Sequence, residues 1–129
     1  MTQKEQQQTV VVVGGSSGVG LETVRRMAAT GARVITTGRD NAKLQEAIGG
    51  LGPNVSGAAF DACNRGALHA FFVSTGPVDH LVLTPSGGEG GGEFAQLDLQ
   101  SLRRGFEAKF WPQLEAAQAG ARVLRKGGS

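Results

Sequence analysis

One stretch limits the folds open to this chain more than any other: Thr9-Val10-Val11-Val12-Val13-Gly14-Gly15-Ser16-Ser17-Gly18-Val19-Gly20-Leu21-Glu22. Four consecutive valines without polar alternation describe a strand buried on both faces of a parallel sheet. Apolar residues then return at helical steps, at Leu21, Val24, Met27 and Ala28, and Gly31 stands where a glycine would close the helix. The run predicts strand, tight loop, helix. Within the loop Gly14 turns the chain sharply off the strand, Gly18 admits a ligand close to the backbone, and Gly20 lets the helix pack near the strand. The opening N–H groups of that helix lack intrahelical partners and lie at the positive end of its dipole, so they form a site for a phosphate or pyrophosphate.

Spacing decides which phosphate binder this is. A Walker loop needs Lys followed by Ser or Thr directly after its last glycine, whereas Gly20 is followed by Leu21-Glu22, which disfavours ATP chemistry. The spacing Gly14-x-x-x-Gly18-x-Gly20 resembles the short-chain dehydrogenase/reductase family, whose loop runs Thr-Gly-x-x-x-Gly-x-Gly with Ile or Val between the last two glycines. Val19 fits that pattern; Val13 departs from it, standing where the family usually has Thr. The resemblance implies a Rossmann-like fold and a dinucleotide cofactor bound by Gly14, Ser16, Ser17, Gly18, Val19 and Gly20.

A second strand, Arg33 to Thr37, leads to Gly38-Arg39-Asp40. In dinucleotide-binding folds the tip of this strand reads the adenosine ribose, an acid binding the 2′-hydroxyl and an arginine accommodating a 2′-phosphate. By resemblance the acidic position falls on Gly38, and Arg39 follows it, which favours NADP over NAD: a guanidinium grips phosphate with two hydrogen bonds. The alternative for Arg39 is a solvated loop arginine. Asp40 suits an N-cap for a helix from Asn41 to Ile48.

The third unit repeats the grammar. Asn54 to Phe60 supplies a strand and Arg65 to Val73 a helix with Leu68, Phe71 and Phe72 on its inner side. Between them, Asp61-Ala62 matches the family's Asp and small residue beside the adenine ring; a helix-initiating Asp is the other reading. Cys63 is expected to begin the helix, and neither it nor His69 or His80 has a metal-binding or catalytic constellation around it.

Asp79 to Thr84 forms a fourth strand. Thr84-Pro85-Ser86-Gly87 then occupies the place of the family's Asn-Asn-Ala-Gly, which puts Ser86 and Gly87 beside the cofactor's second ribose and removes the support those asparagines give the sheet. The glycine-rich loop beyond is expected to be mobile, either as a connector or as a ligand contact. The last helix starts at an Asp98 cap and runs from Leu99 toward Ala119, with Pro112 inside it predicting a kink and a missing bond to residue 108. The family's tetrad Asn falls on Lys109, which cannot accept hydrogen bonds, so that role is not carried over. The family's catalytic Tyr-x-x-x-Lys would follow a fifth strand beginning near the end of this sequence, and the sequence contains no tyrosine.

The expected architecture is an α/β three-layer Rossmann-like half fold, with four parallel strands in the order 3-2-1-4 and helices on both faces. Residues 9–129 form one NADP-binding domain behind a disordered polar tail, residues 1–8, whose glutamines could extend the first strand. A net charge of +2 gives no argument for nucleic acid, and no apolar run approaches a membrane span. The single cysteine suits a reducing cytosol and hence a cytoplasmic location. Leu81-Val82-Leu83 would form a bare sheet edge, and with Phe106, Phe110 and Trp111 on the last helix it predicts a homodimer or higher oligomer through the fourth strand and last helix. Functionally, the chain is expected to be the NADP(H)-binding portion of an oxidoreductase without turnover of its own. The alternative is a non-enzymatic nucleotide-binding or self-assembling module.

Overall fold

The four valines sit at the centre of the sheet. In a computed structural model, which describes residues 6–85 and 88–129, β1 (Thr9–Val13) lies between β2 (Arg33–Gly38) and β4 (His80–Leu83), with β3 (Val55–Ala59) outside β2. All pairings are parallel and the order is β3-β2-β1-β4, as expected. Val11 lies opposite Ile35 on one side and Leu81 on the other, so the middle strand is laddered along both edges. Side chains alternate across a strand. Val11 and Val13 pack with Leu68, Phe71, Phe72 and Ala116 on one face, while Val10 and Val12 pack with Val24, Ala32 and Val34 on the other.

The intervening helices are α1 (Gly18–Ala29), α2 (Asn41–Ile48), α3 (Arg65–Thr75) and α4 (Leu99–Ala121). Gly31, at φ +85°, takes the left-handed conformation that follows the end of α1, and its amide closes on the Ala28 carbonyl. Asp40 caps α2 by accepting from the Lys43 amide at 3.1 Å, and Asp98 caps α4 by accepting from Gln100 at 2.9 Å. The cap of α3 is Asn64, which accepts from Ala67; Cys63 lies in the turn before it instead of opening the helix. Pro112 is buried inside α4, where it withdraws the donor that the Ala108 carbonyl would otherwise receive.

One further expectation needs revision. The sheet edge at β4 is occupied where the strand begins: the Arg125 amide donates to Val78, Ser129 donates to Asp79, and Leu81 donates to the Ser129 carbonyl at 2.8 Å. The cause is the half-buried pair Val123-Leu124, which packs on the core after α4 ends and lays the following residues alongside β4. Among its described residues the glycine-rich loop meets α4, where Glu89 pairs with Arg104 at 2.6 Å and the Gly90 amide donates to Ser101. Of the polar opening, residues 1–5 lie outside the described residues. The Gln8 carbonyl accepts from the Arg33 amide at 2.8 Å, just ahead of the first strand residue, Thr9.

Candidate functional site

The strands end together, and the loops that leave them meet in one place. Gly14, at φ +90°, turns the chain off β1 so closely to β4 that a Cβ there would lie 2.8 Å from the Thr84 carbonyl oxygen. Thr84 answers by donating its hydroxyl to the Val13 and Gly14 carbonyls, both at 3.2 Å. Support expected to be lost with the family's asparagines is thus supplied by a threonine hydroxyl. On the other side, the Gly14 amide donates to Thr37 Oγ1 and the Gly15 amide to the Thr37 carbonyl. The loop is therefore pinned to both neighbouring strands.

Above it the surface is open to a ligand. Gly18, at φ +55°, has no atom within 4 Å of where a Cβ would stand. Ser17 occupies the N-cap of α1 without making a side-chain cap, and the first turn carries no acidic residue, so the first-turn amides and the helix dipole remain available to an anion. Glu22, one turn further, is drawn away by Arg25 at 2.6 Å and Arg26 at 3.0 Å. Hydrogen bonding from Arg26, with the charge of Arg25, holds its carboxyl below the usual carboxylate range.

Two adjoining cavities receive the predicted residues. One, of about 200 Å³, is lined by Gly14, Ser16, Ser17, Gly38, Arg39, Asp61 and Ala62, with Lys43 and Pro112 among the residues completing its wall. The other, of about 320 Å³, is lined by Gly14, Ser17, Gly18, Val19, Gly20, Thr84, Pro85, Lys109 and Gln113. Ser86 and Gly87 lie outside the described residues. At Gly38 a Cβ would come within 3.3 Å of Ser16 Cβ and Oγ, so a larger residue could enter only if Ser16 gave way. Asp61 uses one carboxylate oxygen to accept from the Cys63 amide at 2.9 Å, and the carboxylate shapes the turn at the cavity without capping α3. Burial, and then the Asp61 charge, push the Cys63 thiol above its ordinary value, with Arg39 opposing from the same cavity.

A family model described as short chain dehydrogenase matches residues 8–129. The chain belongs to the short-chain dehydrogenase family. A Streptomyces violaceoruber protein named as a ketoacyl reductase of the granaticin polyketide synthase is 30% identical, over 92% of this chain and 47% of its own length. Among solved structures, a short-chain type dehydrogenase/reductase from Mycobacterium ulcerans superposes with a TM-score of 0.82 at 25% identity, covering 92% of this chain and 46% of that one. BdcA in complex with NADPH gives 0.78 at 26% identity, covering 94% and 49%. The chain spans about half the length of these short-chain dehydrogenase relatives.

Sequence reasoning passed over several residues that line the two cavities, Thr84, Pro85, Gln113 and Lys43 among them. Gly15 is as constrained as its neighbours, because a Cβ there would collide with the Thr36 hydroxyl and crowd Val24. Lys43 joins Arg39 in the cavity wall, one helical turn beyond it, a signal available in the four-residue spacing across the Asp40 cap. Among the described residues there is no group of three or more acids, histidines or cysteines placed to hold a metal, and no helix long and apolar enough to cross a membrane.

Proposed function

We propose that this chain binds NADP(H) and forms the nucleotide-holding portion of a short-chain oxidoreductase. The observation that carries the cofactor choice is the pairing of Arg39 and Lys43 in one cavity wall with Gly38, where a ribose-binding acid would crowd Ser16. Arg39 and Lys43 favour the 2′-phosphate, with Asp40 of the same lining engaged as the α2 cap, and the free face of the loop suits the pyrophosphate. The second Asp61 carboxylate oxygen is the acceptor proposed for the adenine amino group. Val19, 76% exposed at the edge of the second cavity, gains cover when a cofactor lies over the loop. The NADPH named for BdcA supports the same reading.

When bound, the nicotinamide group would supply hydride chemistry; the residues described here would hold the adenosine and pyrophosphate of the same cofactor. With no tyrosine in the sequence, the 129 residues by themselves are proposed to bind cofactor without turning over ketones or aldehydes. A reducing cytosol, the proposed location, suits the one exposed free thiol, Cys63. Self-association is assigned to the outer face of α4, where Phe106, Phe110 and Leu114 recur every fourth residue and are each about half exposed.

Calorimetric titration of Arg39→Ala with NADPH tests the reading. Loss of a charge-assisted phosphate contact costs about 1.5–3 kcal/mol of binding. Equal affinity in variant and parent would remove Arg39 from the cofactor site.

A further inference from the structure

We infer that Lys109 is a second anchor for the cofactor's pyrophosphate, facing the glycine-rich loop from α4; this rests on the nucleotide-binding reading above. Lys109 lines the same cavity as Ser17, Gly18, Val19 and Gly20. Its helix is held over that cavity by buried Pro112 and by Gln113, whose side-chain amide donates to the Pro85 carbonyl at 3.4 Å. Residues 109 and 113 lie one turn apart, so the contact made by Gln113 sets the direction from which Lys109 reaches the loop.

The local charges leave this ammonium without a task inside the protein. Glu89 shares a second groove with Lys109, but its carboxylate is engaged by Arg104 at 2.6 Å. Among the described residues Lys109 has no ion pair. Across the cavity stands the positive end of α1, with no acid in its first turn and no side-chain cap from Ser17. Two positive features thus converge on a cavity whose lining, among the described residues, carries no acid, and a doubly charged pyrophosphate complements both. Lys109 is exposed and flexible, so it can close over the phosphates after the amides have received them, acting as a point charge beside their fixed geometry.

Isothermal titration of the full chain and of Lys109→Gln and Lys109→Arg, with NADPH and with adenosine 2′-monophosphate, tests the inference. The second ligand keeps the adenine and 2′-phosphate and lacks the pyrophosphate. Lys109→Gln is expected to weaken NADPH about tenfold, the effect of one charge-assisted contact, and to leave adenosine 2′-monophosphate unchanged. Lys109→Arg should retain most NADPH affinity, and the parent's NADPH affinity should fall more steeply with added salt than that of Lys109→Gln. Unchanged NADPH binding in Lys109→Gln, or equal weakening of both ligands, would overturn the role of Lys109 while leaving the nucleotide site standing. A parent chain that binds neither ligand would overturn both.

Discussion

The two sides of the sheet are finished to different degrees. From β1 through α2 the chain is closed: Val10 to Val13 and Leu44 are at most 1% exposed, and Gly15 is fitted to the Thr36 hydroxyl with no room for a methyl group. From β4 through α4 it is open, with every residue of β4 only half-buried and Phe106, Phe110, Trp111 and Leu114 each close to half exposed. The aromatic residues of α4 meet one another, Phe110 edge-on to Trp111 at 5.2 Å between ring centres, whereas Phe71 packs with Phe60 against the core. Burial is therefore concentrated in the strands beneath the cavities, and the uncovered apolar surface lies on α4, whose Ala108 and Pro112 close the wall of the first cavity.

Matched truncations would break this contrast most directly. Leu44→Ala empties a fully buried position in the closed region and should cost about 2–5 kcal/mol in chemical denaturation. Phe110→Ala should cost less than about 1 kcal/mol while shifting light scattering toward the monomer. Equal costs would mean that α4 is as well covered as α2. Next in size is Gly15→Ala. Its added methyl meets the Thr36 hydroxyl and a Val24 methyl, and overpacking of this kind should cost about 1–3 kcal/mol of stability. A neutral result would show that β2 can yield at Thr36, so that the closed region is softer than its burial implies.

The smallest effect sharpens the join between the regions. Asp79 accepts from the Thr9 amide at 2.8 Å and pairs with Arg125 at 3.2 Å, which ties the start of β1 to the C-terminal segment. The Thr9 hydrogen bond, followed by the Arg125 charge, holds the Asp79 carboxyl below its ordinary value against the opposing effect of burial. A lowered folded value means that the stabilisation is present above the unfolded aspartate value near 3.9 and disappears as pH falls through the folded one. Thermal melts below about pH 4 should accordingly converge for the parent and Asp79→Asn, with the parent ahead at neutral pH. A constant gap between the two curves would show that the Asp79 charge contributes nothing.

The parts legible in the sequence are those with a local cause. A run of valines needs no partner to declare a buried strand, and Asp40 and Asp98 announce their helices through bonds two or three residues away. The same locality made the sharp turn at Gly14 readable. What escaped was set by contacts between distant residues: Gly15 against Thr36, Glu89 against Arg104, and Ser129 against Asp79 and Leu81. Asp61 shows the boundary between the two cases. Its place beside the cavity came from the strand tip, but the identity of the helix cap depended on whether Asp61 or Asn64 met the first open amide, and either residue type can do that.

Ser129 also ties the chain into the edge of the sheet. Its amide and carbonyl are already bonded to Asp79 and Leu81, and its hydroxyl lies 2.8 Å from His80 Nδ1. Whatever is joined after Ser129 starts from a residue whose backbone is already paired with β4, so a carrier fused there pulls on that pairing directly.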